Sequence, residues 1–460
     1  MRDGALSPRA RRALFASLVA LVVAALVLAF HAGISANPGS RLLTVFGLVE
    51  GGSLQADRWF DLTIDRAIVN GHVYSDKAPL SSFVVLPFYG LWRLFERGEQ
   101  TARDLEVAVF LGDAVASAIP LGAFTWLLAR RASRGMAPRE AIAVALFATL
   151  GSPLLSYGGT YFGHVLSGAL LVFAYDAAVQ AKGRGDADRR ALLSGILVGL
   201  AVLAELPMAL GGAALALYWF VGEKGGARLA RYVAGGLPSA VALGLYNASI
   251  TGSPFDPPYH HLTSTFYTAN PTTFDRHTLT VAFALLFGQY RGLFFYAPAL
   301  LLLAPLAFAR VPAARRRLLG GYAFVHFVFI ASFWVWHGGW CIGPRHLTPL
   351  MMLFAYEGVD ALASSSPFFR PVFFGLASAG VALNLVAVAT NPFVDTTEHP
   401  FTDLYWPALA RGEMTPHSFF ADLGLSLGPA TLAVWAAAFL LAALGLGQAA
   451  RGGALAVDER

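Results

Sequence analysis

The sequence predicts an all-α polytopic membrane protein. Of its 460 residues, 56% are hydrophobic and only 13% are charged, and the mean hydropathy is +0.58. Apolar runs long enough to cross a bilayer recur from one end of the chain to the other. These runs lack the alternation of polar and apolar residues that an outer-membrane β-barrel requires. Helices are therefore the spanning elements that fit the composition.

A length of about 20 apolar residues per span gives about twelve predicted transmembrane helices. They cover residues 13–31, 105–129, 141–156, 163–180, 190–205, 207–222, 229–249, 291–309, 318–335, 347–363, 371–390 and 428–448. The apolar stretch Leu80–Phe95 is not counted, because counting it would move every later loop to the opposite side of the membrane. We predict that it lies at the membrane interface or dips into it.

The basic residues orient these helices. With a cytoplasmic amino terminus, most Lys and Arg residues fall in cytoplasmic loops, which is the usual arrangement in membrane proteins. Both termini are then cytoplasmic, and the protein is expected in a bacterial cytoplasmic (inner) membrane. The arginine excess also accounts for the net charge of +5 without a nucleic-acid partner. Cys341 is the single cysteine, so no intramolecular disulfide can form.

The large first extracytoplasmic loop, residues 32–104, is predicted to fold as a cap. Arg41–Glu50 and Trp59–Asn70 resemble two interfacial helices, and Leu80–Phe95 would be a third. A second long extracytoplasmic loop, residues 391–427, could cover the same face as a lid. The predicted division is a transmembrane catalytic core over residues 1–363, followed by carboxy-terminal helices over residues 364–460.

The first loop concentrates the acidic residues that could carry chemistry. A carboxylate whose pKa is tuned by its neighbours can take a proton from an attacking hydroxyl. Asp57, Asp65 and Asp76 are the candidates for this catalytic role. Two simpler interpretations stay open: Asp57 and Asp65 could lie on the solvated face of an interfacial helix, and Asp76 could pair locally with Lys77.

Cationic and aromatic residues predicted on the same side of the membrane could bind a phosphate-headed ligand. Lys77 and Arg345 are the candidates for the donor phosphate, since arginine offers a planar fork and lysine a point charge. Arg345 could instead be a basic residue at a helix entry whose charged end reaches the interface. Weaker candidates would line the substrate: Tyr74, His164, Trp336, His337 and His346. The histidines lack the close spacing of a metal site, so we predict no metal ligands and no cofactor.

Two short motifs carry a resemblance to a known superfamily. They are Tyr74-Ser75-Asp76-Lys77-Ala78-Pro79 and the later segment from Trp336 to His346, which has the pattern Trp-His-Gly-Gly-Trp-x-x-Gly-Pro-Arg-His. Together with the amino-terminal helix and the large acidic first loop, they resemble the GT-C superfamily of integral membrane glycosyltransferases. The likeness covers about Leu14 to Ala363. Within that superfamily, the sequence is similar to the bacterial, glycosyltransferase family 39-like branch, which is related to protein mannosyltransferases and the aminoarabinose transferases of lipid A.

The resemblance implies an inverting enzyme that takes a hexosyl or pentosyl group from a polyprenyl-phosphate carrier at the outer leaflet. Its partners would be membrane lipids, the lipid-linked sugar donor, and a lipid, glycan or protein acceptor. A first-loop carboxylate would be the general base, and the charge of the phosphate could be met by Lys77 and Arg345 without a divalent metal.

One departure from the family pattern concerns the base. Those families place an acid just after the first helix and shortly before an arginine, whereas the matching stretch Ser35–Arg41 contains Asn37 and no acid. Either Asp57 or Asp65 has taken over, with Asp76 next as partner or base, or the protein no longer catalyses this step. The alternative functions are a polytopic transporter or lipid flippase, and a non-catalytic protein of cell-envelope polysaccharide assembly.

Overall fold

The structure is a computed structural model that describes residues 7–181, 185–263, 278–394, 399–425 and 427–450. It is almost entirely helical, and its one sheet in these ranges is a two-stranded hairpin. The elements are α1 Pro8–Leu28, α2 Ala36–Glu50, β1 Ala67–Val69, β2 His72–Tyr74, α3 Leu80–Phe83, α4 Leu86–Phe95, α5 Ala102–Gly112, α6 Ile119–Ala132, α7 Pro138–Leu150, α8 Leu154–Gly158, α9 Gly163–Val179, α10 Ala187–Ala204, α11 Met208–Val221, α12 Gly225–Thr251, α13 Thr278–Phe287, α14 Leu293–Tyr296, α15 Leu300–Arg310, α16 Ala313–Ser332, α17 Thr348–Ala363, α18 Phe369–Thr390, α19 Trp406–Ala410, α20 Phe419–Asp422 and α21 Ala430–Ala449.

Several of these helices are suited to cross a membrane, which confirms the predicted fold class. Within the described residues, five are long and apolar enough by themselves: α1, the continuous helix Ala102–Ala132, α12, α18 and α21. Asp113–Ala118, in the middle of that continuous helix, is a π-helical segment joining α5 to α6. Shorter apolar helices include α9, α11 and α15. The number of twelve spans stays a prediction.

Small residues let neighbouring helices approach closely. Gly195 of α10 lies against the backbone of Tyr232 in α12, and Gly235 of α12 lies against the backbone of Leu192. A Cβ at Gly195 would come within 1.9 Å of the Tyr232 carbonyl oxygen. Close contact at small residues is a common basis for helix association in membranes, where van der Waals packing contributes much of the driving force.

The first loop is folded, as the sequence predicts. Its core contains Leu42 and Phe46 of α2, which pack with Val85, Tyr89 and Tyr161. The helical prediction for Trp59–Asn70 is wrong, because this segment continues a 3₁₀ helix, Asp57–Leu62, into strand β1. The amphipathic spacing of the segment suggested a helix, but the turn at its end imposes a hairpin.

Asn70 and Gly71 form that turn. Their φ angles are 52° and 84°, and two consecutive positive φ angles are what a two-residue type I′ hairpin requires. The hairpin places Ala67 opposite Tyr74 in an antiparallel register. It therefore fixes the direction in which the chain leaves β2 toward Asp76 and Lys77.

A buried ionic cluster lies at the opposite end of the helix bundle. Glu357 near the end of α17 is fully buried and accepts hydrogen bonds from Arg315 Nε at 3.1 Å and from the Tyr175 hydroxyl at 2.6 Å. Arg131 Nη2 lies 3.6 Å from Glu357 Oε2 and 2.5 Å from Asp360 Oδ2. These contacts supply the partners that a carboxylate inside a predicted span requires.

Candidate functional site

The hairpin leads into a cluster around Lys77. Lys77 Nζ lies 3.1 Å from Asp65 Oδ2 and 2.7 Å from Asp76 Oδ2. The Ser40 hydroxyl donates to Asp76 Oδ1 at 2.5 Å and lies 3.0 Å from the Ser75 hydroxyl. The structure therefore brings three of the predicted site residues, Asp65, Asp76 and Lys77, into one group.

Asp57 has different partners. Its Oδ1 accepts from the Val73 backbone N–H at 2.6 Å, and its Oδ2 lies 2.8 Å from His72 Nδ1. The hydrogen bond from His72, followed by the one from Val73, lowers the pKa of Asp57 below its ordinary value. Both Asp57 oxygens thus hold the 3₁₀ helix against β2. No described contact joins Asp57 to Lys77.

A second cluster links three segments that are far apart in the chain. Arg41 in α2, only 1% exposed, donates through Nη2 to Glu205 Oε1 at 2.6 Å. His164 Nδ1, from the first turn of α9, lies 3.0 Å from the same oxygen. Arg41 Nε also donates to the side-chain carbonyl of Asn37 at 3.3 Å. Asn37, which stands where the resemblance led us to expect an acid, thus helps to position an arginine.

Glu205, which follows the last residue of α10, stays ionised in this setting. Burial raises the pKa of Glu205, but the electrostatic interaction with His164, the positive charge of Arg41 and the hydrogen bond from His164 lower it by a larger amount, so that it lies well below its usual range. Lys77 contributes to the same lowering. The Lys77 cluster and the Glu205 cluster are therefore electrostatic neighbours.

Gly163 permits this close approach. A Cβ at position 163 would lie 2.5 Å from Glu205 Oε1, 2.8 Å from the Ser81 hydroxyl and 2.9 Å from Arg41 Nη2. Real Cβ atoms do not come this close to neighbouring atoms, so a larger residue here would push the cluster apart. The glycine at the start of α9 thus lets α2, α3 and the end of α10 converge.

Arg345 and His346 border the second cluster. The ring centroids of His164 and His346 are 5.3 Å apart, and the Arg345 guanidinium lies 4.8 Å from the centroid of the Phe162 ring. His326 Nε2 lies 2.9 Å from the backbone carbonyl oxygen of His346. Burial, followed by electrostatic interaction with His164 and Arg345, holds the pKa of His346 well below its usual range.

Several buried nitrogen atoms in this region have no hydrogen-bond partner within the described ranges. They are Arg41 Nη1, His164 Nε2, Arg345 Nε and His346 Nε2. Buried polar atoms in folded proteins are almost always paired, with protein, water or ligand. Two of these atoms, Arg41 Nη1 and Arg345 Nε, are cationic donors, and unpaired donors of this kind are expected in a site that receives an anionic, oxygen-rich ligand.

The loop that carries Arg345, residues 334–346, is held by a buried arginine that the sequence analysis did not single out. Arg291 is fully buried and donates to the carbonyl oxygens of His337 at 2.6 Å, Cys341 at 2.7 Å and Gly339 at 2.7 Å. Its guanidinium lies 3.8 Å from the centroid of the Tyr290 ring. The single guanidinium group of Arg291 therefore holds three backbone carbonyls of the loop in place.

Three predicted lining residues lie at the edges of the site. Trp336 and His337 pack against the ring of Tyr290, at centroid distances of 6.1 Å and 6.3 Å. Tyr74 is buried in a small apolar cluster with residues of the hairpin and of α12. Their predicted contact with substrate stays a prediction. Among the described residues, no group of three His, Cys, Asp or Glu side chains is placed to hold a metal ion.

Solved structures of similar fold are known. The structure of ArnT from Cupriavidus metallidurans bound to undecaprenyl phosphate shares 18% identity at a TM-score of 0.52, and the match covers 96% of this chain and 77% of ArnT. The structure of ArnT from the same organism in the apo state shares 17% identity at a TM-score of 0.54, and the match covers 96% of this chain and 76% of ArnT. No protein-family model and no curated protein matches the chain.

A third structure, the Archaeoglobus fulgidus oligosaccharyltransferase in complex with Zn and sulfate, shares 15% identity at a TM-score of 0.51. The match covers 86% of this chain and 55% of the oligosaccharyltransferase, so this chain corresponds to about half of that protein. The chain is thus a polytopic membrane protein with the GT-C fold, as the two sequence motifs indicated.

Proposed function

We propose that this protein is a membrane glycosyltransferase that takes a sugar from a polyprenyl-phosphate-linked donor and transfers it to an acceptor at the extracytoplasmic face of a bacterial cytoplasmic membrane. The observation that carries the proposal is the presence of two unpaired buried guanidinium nitrogens, Arg41 Nη1 and Arg345 Nε, around the Glu205 cluster that also feels the charge of Lys77. A phosphate offers the oxygen acceptors that these two donors lack, and hydrogen bonds from charged donors contribute about 1.5–3 kcal/mol each.

The fold supports the same proposal. One of the structurally similar proteins, ArnT, was solved with undecaprenyl phosphate bound. In this chain, Lys77 and Arg345 come from segments far apart in sequence, and their charges act on two members of the same cluster, Glu205 and His164. We infer that they flank the phosphate of the donor and neutralise the charge that builds up on it when the bond to the sugar breaks.

The predicted base is a first-loop carboxylate. Of the three candidate carboxylates, Asp65 is more accessible than Asp76, because its side chain is 10% exposed beside Lys77 whereas that of Asp76 is fully enclosed. Both oxygens of Asp57 are occupied by His72 and Val73. Inversion at the anomeric carbon and a hexosyl or pentosyl donor remain part of the proposal.

One observation favours a second candidate, a non-catalytic protein that binds lipid-linked glycans during polysaccharide assembly. Asn37 stands where the family has an acid, and it accepts a hydrogen bond from Arg41. An assay with purified protein in nanodiscs and a panel of radiolabelled polyprenyl-phosphate sugars separates the candidates. Bond cleavage with sugar transfer or hydrolysis supports the enzyme. Movement of an intact donor between leaflets indicates a transporter, and binding alone indicates the assembly protein.

Arg345→Gln is expected to weaken binding of undecaprenyl phosphate at least tenfold, or about 1.4 kcal/mol. The physical reason is the loss of a charged, planar donor from the phosphate site. Binding is measured by native mass spectrometry, with undecaprenol as the ligand that lacks phosphate. Arg411→Gln is the matched control, because Arg411 is 58% exposed and pairs with Glu413 in another loop. Equal affinities of the two variants would contradict the assignment of Arg345.

A further inference from the structure

His164 and Glu205 form a carboxylate–imidazole pair with a defined tautomer. An ionised carboxylate accepts hydrogen bonds and cannot donate them. The 3.0 Å contact between His164 Nδ1 and Glu205 Oε1 therefore places the imidazole hydrogen on Nδ1. The second ring nitrogen, Nε2, is left with a free lone pair.

The Nε2 atom is enclosed and available. His164 is only 7% exposed, and in the part of the chain that the structure describes no group forms a hydrogen bond with its Nε2. Arg345, His346 and Arg41 lie around the ring, and Glu205 is the acidic group in contact with it. Burial of the ring disfavours a protonated imidazole, and the charges of Arg345 and Arg41 add to this effect against the opposing charge of Glu205. The ring is thus a neutral base next to the cations assigned to the donor phosphate.

The first-loop carboxylates Asp65 and Asp76, unlike His164 Nε2, already have partners. Asp76 accepts from Ser40 through one oxygen and pairs with Lys77 through the other. Asp65 also pairs with Lys77. Both oxygens of Asp76 and one oxygen of Asp65 are therefore occupied. Their contacts suit them to hold Lys77 in place.

We infer that His164, oriented by Glu205, is the general base that takes the proton from the acceptor hydroxyl. The inference rests on the proposed function and assigns to α9 the role that the family pattern gives to an acid after the first helix. The acceptor O–H proton moves to His164 Nε2 while the acceptor oxygen forms a bond to the anomeric carbon. The bond between that carbon and the phosphate oxygen breaks, and polyprenyl phosphate leaves with the electron pair. His164 then returns the proton to water.

The geometry of the pair suggests the test variant. In His164→Asn, the side-chain amide N–H can replace Nδ1–H as donor to Glu205, but asparagine has no atom at the position of Nε2. The fold and the Arg41–Glu205 pair are therefore retained. General-base catalysis contributes about 10²–10⁴-fold, so we expect the transfer rate at saturating donor to fall by at least about 100-fold. Binding of undecaprenyl phosphate is expected to weaken less than tenfold.

A pH–rate profile provides the second measurement. The wild-type rate is expected to fall at acid pH, because a protonated imidazole cannot accept a proton, and the residual rate of His164→Asn is expected to lack this dependence. Asp65→Asn is the comparison variant. If it abolishes transfer while His164→Asn keeps more than a third of the wild-type rate, the base lies in the first loop and the inference fails.

Two other results have distinct meanings. If His164→Asn loses rate and undecaprenyl phosphate affinity to the same extent, His164 is a binding residue and the inference again fails. If the wild-type protein binds undecaprenyl phosphate but neither transfers nor hydrolyses any donor of the panel, the proposed function itself fails. The failure of the inference and the failure of the function are therefore distinguishable.

Discussion

Arg291→Gln is expected to lower the free energy of unfolding by about 3–5 kcal/mol, since each buried carbonyl left without a donor costs about 1–3 kcal/mol. The wild-type guanidinium donates to three carbonyl oxygens of the loop 334–346 at 2.6–2.7 Å and more weakly to those of Tyr290 and Val394. Glutamine offers two donors on a shorter side chain and cannot reach the same set. Thermal unfolding in detergent micelles measures the loss.

The same substitution is expected to abolish binding of undecaprenyl phosphate even in the folded fraction, because Arg345 is carried by the loop that Arg291 holds. Arg291→Lys should give an intermediate loss, since one ammonium group cannot replace a planar fork. Arg411→Gln serves as the control, because exposed ion pairs contribute about 0–1 kcal/mol. A stability of Arg291→Gln equal to that of Arg411→Gln would show that the loop folds without the buried cation.

The fold class could be predicted from composition because a bilayer restricts spanning segments to helices or closed β-barrels, and the apolar runs lack the alternation of a barrel. The hairpin in the first loop could also have been predicted. Asn70-Gly71 is the strongest short-range hairpin signal in a sequence, but the amphipathic spacing of Trp59–Asn70 favoured a helix instead. The error arose from the weight given to periodicity over the turn.

The composition of the site was only partly predictable. Asp76 and Lys77 are adjacent, so a local motif could identify them together. Arg41 and Glu205 are 164 residues apart, and their pairing depends on how α2 packs against the end of α10. Glu205 follows an apolar helix, at the end predicted to lie on the same side of the membrane as His164. This position was the one signal in the sequence for Glu205.

Arg291 carried no comparable signal. It is a single basic residue between Tyr290 and Gly292, in a segment with no acid nearby, and a lone arginine at a helix end usually reaches the interface. Its role depends on carbonyl oxygens of a glycine-containing turn about 50 residues later in the chain. Because every residue has a backbone carbonyl, the sequence does not indicate which carbonyls accept hydrogen bonds. The φ angles of Gly338 and Gly339, 74° and 65°, allow those carbonyls to point toward one guanidinium.

Glu357→Gln is expected to lower the free energy of unfolding by about 3–5 kcal/mol, the usual cost of removing one partner from a buried ion pair. The Glu357 side chain is fully enclosed between Arg315 and Arg131, so a neutral amide leaves the buried Arg131 and the partly buried Arg315 close together without the carboxylate charge that compensates them. Denaturant titration of the protein in micelles measures the change. The ionic cluster lies at the end of the bundle opposite the proposed site, and the transfer rate per folded molecule should stay within about threefold of wild type, or about 0.7 kcal/mol.

The control for Glu357 is Glu140→Gln. Glu140 pairs with Arg370 at 3.0 Å, but both side chains are about a quarter exposed, and solvent compensates the loss of such a pair. The double variant Glu357→Gln/Arg315→Met should recover part of the lost stability, because it also removes one of the two cations. If the double variant is less stable than Glu357→Gln alone, Arg315 stabilises the bundle by packing independently of Glu357. If Glu357→Gln matches Glu140→Gln, water reaches the cluster and the carboxylate is not required to neutralise it.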